Sequence, residues 1–201
     1  MRIVLTREPE RGDALAEELR AKGHEVSCVP LTAVEDAGPF PDPAGFDGVL
    51  FTSANAAARA PANARWPRVG AVGEATARAL AARGIRVDVV GAGGGKELAG
   101  AWGPAKGQRL LLPQAVDAHP DLAEALRAAA ARVTVATVYR TVPLKGVDRA
   151  PFERADLVCF FAPSQVRAFR GLSVKTSARF WGQGATTRAA MEGLPEVANL
   201  P

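Results

Sequence analysis

The chain has 201 residues, of which 48% are hydrophobic and 23% are charged. This composition is typical of a globular protein with one large α/β domain or two small ones, and it excludes extensive disorder. The formal net charge of +4 comes from scattered arginines that form no basic stripe, which argues against a nucleic-acid partner. No apolar run is long enough to cross a membrane, and the charged N-terminus is typical of a first strand, not of a signal peptide.

The cysteines and histidines indicate a reducing compartment and no metal. Cys28 and Cys159 lie far apart in apolar segments without a CxxC spacing, so we expect two reduced thiols in a cytoplasmic protein. His24 and His119 lie beside turn residues, and neither has a second ligand at metal-binding spacing. The sequence therefore predicts no metal site.

The first half of the chain predicts short apolar strands that alternate with helices. Leu15 and Leu19 share one face of the first helix, and Gly23 follows as its C-cap. A proline-rich stretch around residues 39–43 forms a stiff connection before the third strand. In this half the predicted strands are 2–6, 25–29, 48–52, 68–72 and 85–90, and the predicted helices are 13–22, a short one after Asn55, and 74–83.

The second half continues the alternation. Its predicted strands are 108–112, 133–142, 156–161, 178–181 and 195–198, and its predicted helices are 96–101, 120–131, 164–169 and 186–191. Strands separated by helices of about ten residues are typical of an α/β protein with a parallel, doubly wound sheet. Such sheets bind ligands at the carboxyl ends of their strands.

The two halves also resemble each other. Arg2–Leu5 matches Arg109–Leu112, and Asp47–Phe51 matches Asp156–Phe160. Val72-Gly73 and Trp181-Gly182, each followed by a helix, form a further match. A duplication is the simplest explanation, and chance similarity between short apolar patterns is the alternative.

The strand count favours two domains built from a split chain. The strands between residues 48 and 138 are enough for one complete sheet, and those at the two ends of the chain are enough for another. We therefore expect a discontinuous domain, 1–33 plus 143–201, and a second domain, 36–137. The chain crosses between them near 30–35 and 138–142, and two adjacent extended crossings make a natural hinge beneath a cleft.

Small polar residues stand where several predicted strands end and helices begin. Free N–H groups and the helix dipole attract carboxylates or phosphates at such positions. A single Ser or Thr there is explained by N-capping alone, whereas several on one rim favour a ligand with many anionic groups. The segments are Thr6-Arg7, Thr52-Ser53-Ala54-Asn55, Gly73-Glu74-Ala75-Thr76, Gln114, Ala162-Pro163-Ser164 and Gly182-Gln183-Gly184.

Tyr139 is the only tyrosine, and it lies on the second crossing strand, where it would face the floor of the cleft. A phenol is protonated near neutral pH and can donate a proton or a hydrogen bond. The alternative is a structural tyrosine that packs against the hinge.

At this point two other functions remain open. The glycine-rich loop at 91–95 follows a strand but lacks the P-loop spacing, so it indicates a nucleotide- or flavin-dependent enzyme only weakly. A two-domain module that binds an anionic small molecule without catalysis is the other alternative. Flavin bound to the purified protein would favour the nucleotide- or flavin-dependent enzyme. The absence of any catalysed reaction would favour the binding module.

The order and spacing of the segments together resemble the uroporphyrinogen-III synthase family over nearly the whole chain. The matching segments are Leu5-Thr6-Arg7, Val29-Pro30-Leu31, Phe51-Thr52-Ser53-Ala54-Asn55-Ala56, Ala71-Val72-Gly73-Glu74-Ala75-Thr76-Ala77, Val138-Tyr139-Arg140-Thr141 and Phe160-Phe161-Ala162-Pro163-Ser164. The sequence departs from the family at Phe161-Ala162, where Thr-Ser is common, and at Gln114, where a basic residue often stands. The register of Gly182–Thr187 is ambiguous, because Gly182 or Gly184 could be the turn glycine.

The resemblance implies two flavodoxin-like domains joined by a two-stranded linker. It implies a monomer without cofactor or membrane contact that cyclises hydroxymethylbilane, a linear tetrapyrrole with eight carboxylates, with inversion of ring D. The terminal hydroxyl leaves as water to give an azafulvene, which the substituted carbon of ring D attacks. The resulting spiro intermediate fragments and recloses as the type III isomer.

The resemblance also implies roles for particular residues. Tyr139 would assist departure of the hydroxyl, and Ser53 and Thr76 match polar positions that hold the substrate. Backbone N–H groups at several helix starts would bind the acetate and propionate arms. Together with Tyr139, the predicted site comprises Thr6, Arg7, Ser53, Asn55, Gly73, Thr76, Ser164, Gly182 and Gln183.

Overall fold

The computed structural model describes residues 1–201, except for the side chains of residues 9–13. Its strands are β1 (Arg2–Leu5), β2 (Glu25–Cys28), β3 (Thr32–Asp36), β4 (Gly48–Phe51), β5 (Arg68–Val72), β6 (Val89–Gly91), β7 (Arg109–Ala115), β8 (Arg132–Pro143), β9 (Leu157–Phe160) and β10 (Arg179–Gly182). Its helices are α1 (Pro9–Ala21), α2 (Ala54–Ala57), α3 (Gly73–Ala81), α4 (Gly95–Trp102), α5 (Asp121–Ala128), α6 (Ala150–Glu153), α7 (Pro163–Gly171) and α8 (Gly184–Ala190). The predicted mixed α/β class with parallel sheets is confirmed.

The chain divides into two compact units. Unit 1 comprises Met1–Ala33 and Thr141–Pro201, and unit 2 comprises Val34–Arg140. No helix in the described part of the chain is both long and apolar enough to cross a membrane.

Unit 1 is built on a sheet with the order β10-β9-β1-β2, whose neighbouring strands are parallel. Its central strands, β1 and β9, are buried on both faces, as expected for a parallel sheet covered by helices on each side. Val4 and Phe160 belong to the apolar cluster on one face, and Ile3 and Cys159 belong to the cluster on the other. This burial fixes the register, because a shift by one residue would exchange the two faces.

Unit 2 is built on a sheet with the order β3-β8-β7-β4-β5-β6. The strands from β8 to β6 pair in parallel. Phe51 and Leu111 belong to one core cluster, whereas Leu50 and Leu110 belong to the other. The sequence of β4, Gly-Val-Leu-Phe, therefore contains an apolar side chain for each face of the sheet.

The two units share one arrangement of strands, in line with the repeat predicted from the sequence. β2-β1-β9-β10 in unit 1 corresponds to β8-β7-β4-β5 in unit 2. The Asp156 carboxylate accepts the Arg2 backbone N–H at 2.7 Å, and the Asp47 carboxylate accepts the Arg109 N–H at the same distance. The matching segments therefore have the same contacts at the amino ends of their strands.

The structure differs from the predictions at the C-terminal end. The predicted last strand, 195–198, is only an isolated bridge between Phe180 and Glu196. The predicted match of Gly182 to Gly73 is wrong, because Gly184 (φ +79°) begins α8 just as Gly73 (φ +74°) begins α3. Gly182 has a packing role instead, since a Cβ there would lie 2.5 Å from the Met191 sulfur.

Candidate functional site

In unit 2, Ser53 and Tyr139 form a hydroxyl pair. Ser53 directly follows the buried strand β4, and its Oγ caps α2 by accepting the Ala56 N–H at 3.1 Å. The Ser53 Oγ lies 2.9 Å from the Tyr139 hydroxyl oxygen. Tyr139 is only 7% exposed, whereas Ser53 is half-buried. Of the two hydroxyls, that of Ser53 is therefore the more accessible to a ligand.

The start of α3 is another predicted binding segment of unit 2. Gly73 follows β5, and the residue before it makes no side-chain cap to the first turn of α3. A cavity of about 430 Å³ is lined by Gly73, Glu74 and residues 90–93. Thr76 lies in the same helix but is only 4% exposed. Gly73 is thus half-buried beside a cavity, whereas Thr76 is buried.

Asn55 is the second residue of α2, and its side chain is half-buried. Its backbone carbonyl accepts a hydrogen bond from Arg59 at 3.0 Å. Asn55 therefore belongs to the same short helix as the Ser53 cap.

In unit 1, the Thr6 side chain is buried and connects neighbouring elements of the fold. Its hydroxyl is fully buried and lies 2.8 Å from both the Cys159 carbonyl and the Gln165 Oε1. Gln165 Oε1 also accepts the Phe161 N–H at 2.7 Å. The hydroxyl thus joins the end of β1 to β9 and α7. Because the Thr6 side chain is fully buried, it has no exposed surface for the predicted contact with a ligand.

Arg7 lies in a different environment. Its guanidinium carbon is 3.5 Å from the centre of the Phe161 ring, and its Nη2 donates to the exposed Gln183 Oε1 at 3.3 Å. The stacking and the amide contact hold the guanidinium in place. The structure therefore brings Arg7 and Gln183, two of the predicted site residues, together.

Ser164 and Gly182 complete the predicted residues of unit 1. Ser164 is the second residue of α7 and is half-buried. Gly182 ends β10 and is buried. Sequence reasoning missed Gln165, although a glutamine between a strand end and an apolar helix face is a recognisable signal for a buried amide that bonds the backbone.

The chemistry of the remaining titratable groups is limited. Burial raises the pKa of the Cys159 thiol to about 12, so this thiol stays neutral and unreactive. Among the residues whose side chains are described, no three His, Cys, Asp or Glu residues are grouped as a metal site would need. Unit 1 offers the stacked Arg7 cation and the start of α7, which suit the positioning of an anion, and unit 2 offers the Ser53–Tyr139 hydroxyl pair, which suits proton donation.

Comparison with known proteins identifies the family. The family model described as uroporphyrinogen-III synthase HemD matches residues 13–196. The structure is similar to that of uroporphyrinogen-III synthetase from Helicobacter pylori, with 20% identity, a TM-score of 0.68, and coverage of 98% of this chain and 91% of that chain. It is also similar to a mutant uroporphyrinogen III synthase from the extremely thermophilic bacterium Thermus thermophilus, with 23% identity, a TM-score of 0.57, and coverage of 95% of this chain and 88% of that chain.

A search of curated proteins gives no significant match. At these identities the two solved structures establish the fold, and the family model, which spans most of the chain, establishes the family. The chain belongs to the uroporphyrinogen-III synthase family, and it is a cyclising lyase of haem biosynthesis.

Proposed function

We propose that Ser53 and Tyr139 are the groups with which this lyase removes the terminal hydroxyl of hydroxymethylbilane. The observation that carries the proposal is the distance of 2.9 Å between the two hydroxyl oxygens. The expected product is uroporphyrinogen III, with ring D inverted and one water released.

The proton would pass through Ser53. A phenol is a stronger acid than an aliphatic alcohol, so Tyr139 is the better donor of the pair. The Ser53 oxygen then accepts from both Tyr139 and the Ala56 N–H, which leaves its own proton to donate outward. That proton joins the departing hydroxide to form water while the carbon–oxygen bond breaks. Tyr139 replaces the proton on Ser53, and solvent later restores the proton of Tyr139.

The carboxylate arms would be held by groups that each unit presents separately. In unit 1, Arg7 is a held cation beside Gln183, and Ser164 lies in the first turn of α7. In unit 2, Gly73 and Glu74 at the start of α3 line a cavity. These groups favour carboxylates through charge and the helix dipole. We propose that Asn55 and Gly182 contribute backbone N–H groups to these sites and that Thr76 helps to hold the substrate.

The remaining expectations are part of the same proposal. We infer two flavodoxin-like domains, 1–33 plus 143–201 and 36–137, and the division of the chain into compact units supports this. The chain would work as a cytoplasmic monomer without a cofactor or nucleic acid. Cys28 and Cys159 form no disulfide, which is consistent with a reducing compartment.

Turnover of hydroxymethylbilane by single variants tests the roles of the hydroxyl pair. We expect Tyr139→Phe and Ser53→Ala to lower kcat about a hundredfold, since proton transfer typically contributes that much. Ser27→Ala, which removes a half-buried hydroxyl from β2, serves as the matched control and should leave kcat unchanged. Full turnover in both Tyr139→Phe and Ser53→Ala, with the type III product retained, would remove the pair from the mechanism.

A further inference from the structure

We propose that Arg59, held by Asp36, is a positioning residue for Tyr139. This inference rests on the proposed role of the Ser53–Tyr139 pair and adds a residue that is neither a predicted substrate contact nor a proton donor. All the groups concerned belong to unit 2.

Arg59 is placed by the turn that follows α2. Its side chain is only 21% exposed, although arginines usually extend into solvent. The guanidinium Nε donates to the Asp36 carboxylate at 2.7 Å, and Nη1 donates to the Asn55 carbonyl at 3.0 Å. Two directed hydrogen bonds from one planar group fix its orientation in a way that a lysine ammonium could not reproduce.

The guanidinium also contacts the tyrosine. Its Cζ lies 5.4 Å from the centre of the Tyr139 ring, within the range of a cation–π interaction. Arg59 therefore lies over the ring of Tyr139. Its hydrogen bond to the Asn55 carbonyl also connects it to the short helix that Ser53 caps. One side chain thus links the two elements whose hydroxyls must stay 2.9 Å apart.

Asp36 is the anchor of this arrangement. Its side chain is 82% exposed, so the carboxylate is not needed for the core of unit 2. An ion pair with one partner so exposed contributes little to folding stability. Its specific consequence is the direction in which the half-buried Arg59 side chain points.

A cavity of about 530 Å³ lies beside the Arg59–Asp36 ion pair. Asp36, Phe40, Arg59 and Val138 are among its lining residues. The guanidinium therefore has space into which it could turn if the Asp36 carboxylate were removed. Loss of the anchor should release Arg59 from the tyrosine ring.

Steady-state kinetics with hydroxymethylbilane provide the first readout. We expect Arg59→Lys to lower kcat about tenfold, because small misplacements of reacting groups slow catalysis, while KM changes less than about twofold. Asp36→Asn should act in the same direction with a smaller loss. Arg68→Lys is the matched control, because the Arg68 Cζ lies 4.4 Å from the centre of the Trp102 ring and its Nη1 donates to the Trp102 carbonyl. This substitution should leave kcat and KM unchanged.

A double-mutant cycle shows whether Arg59 acts through Tyr139. In the Tyr139→Phe background, Arg59→Lys should cause no loss beyond about twofold, because the hydroxyl that Arg59 positions is absent. A full and additive loss in that background would overturn the proposal, as would unchanged kcat in Arg59→Lys. If Arg59→Lys does not fold, as judged by its melting transition, Asp36→Asn carries the same test.

A spectroscopic readout separates this proposal from the proposed catalytic role. Because Tyr139 is the only tyrosine, ¹³C-tyrosine labelling gives NMR signals from this ring alone. These signals should shift in Arg59→Lys and Asp36→Asn but not in Arg68→Lys. Shifted signals with full turnover in Tyr139→Phe would contradict only the catalytic role, whereas unchanged signals would overturn the positioning role.

Discussion

Single carboxylates fix the ends of strands in this protein. The Asp156 carboxylate accepts both the backbone N–H of Arg2 at 2.7 Å and its guanidinium at 2.9 Å. The hydrogen bond from the Arg2 side chain, followed by that from its backbone, lowers the pKa of Asp156. Asp47 makes the same backbone contact with Arg109 in unit 2. The paired residues thus define where β1 and β7 begin.

The Asp156–Arg2 contact should make the stability of the protein depend on pH. Because the folded state lowers the pKa of Asp156, the contact stabilises the protein above the carboxyl's ordinary pKa and is lost as pH falls through the lowered value. Asp156→Asn should reduce the loss of unfolding free energy in acid, measured by urea titrations at several pH values. Glu124→Gln, which changes an exposed carboxylate on α5, is the control. An identical acid dependence in Asp156→Asn and the parent protein would contradict this explanation.

The sequence predicted individual site residues but not which of them contact each other. It identified Ser53 as a cap and Tyr139 as the only tyrosine, yet these residues are 86 positions apart and meet only after β4 and β8 join one sheet. It could not predict that Thr6 would be fully buried, because a threonine after a strand suits either a cap or an internal hydrogen bond. Arg59 was one of many arginines until its partners were known.

Elements are joined in unit 1 by one buried amide. Gln165 on α7 bonds the Phe161 N–H at the end of β9 and lies 2.8 Å from the Thr6 hydroxyl after β1. Gln165 is 8% exposed, so without its amide these partners would lose their hydrogen bonds without gaining water. The amide therefore fixes the start of α7 against two strands.

Gln165→Leu should destabilise the protein. Leaving a buried donor unpaired costs about 1–3 kcal/mol, so we expect the free energy of unfolding to fall by that amount. Chemical denaturation measures this change. Gln183→Leu, at an exposed position after β10, should change the free energy by less than about 0.5 kcal/mol. Equal effects of the two substitutions would show that the buried amide has no special role.

The alternation of strands and helices was predictable because the spacing of apolar residues and the glycines at turns specify it locally. The predicted strand at 195–198 failed because a short apolar stretch can pack beside a sheet without forming a ladder, and only one bridge forms there. The register of the last helix stayed open for a related reason. Gly182 and Gly184 are equivalent in composition, and only the backbone shows that Gly184 takes the positive φ that begins α8.

The whole molecule combines two related sheets with one reaction. The common order of strands and the paired Asp–Arg contacts show the internal repeat in both units. Only unit 2 carries the Ser53–Tyr139 pair, since the chain contains no second tyrosine. The two halves have therefore diverged in chemistry while keeping their arrangement of strands.

The product isomer shows whether this chain is the type III cyclase. Without an enzyme, hydroxymethylbilane closes to the type I ring, because inversion of ring D needs the geometry that a binding site imposes. The purified chain, mixed with hydroxymethylbilane and followed by chromatographic separation of the oxidised products, should give mainly the type III isomer. A product mixture of type I alone, at the rate of the uncatalysed reaction, would contradict the assignment of this chain as the type III cyclase.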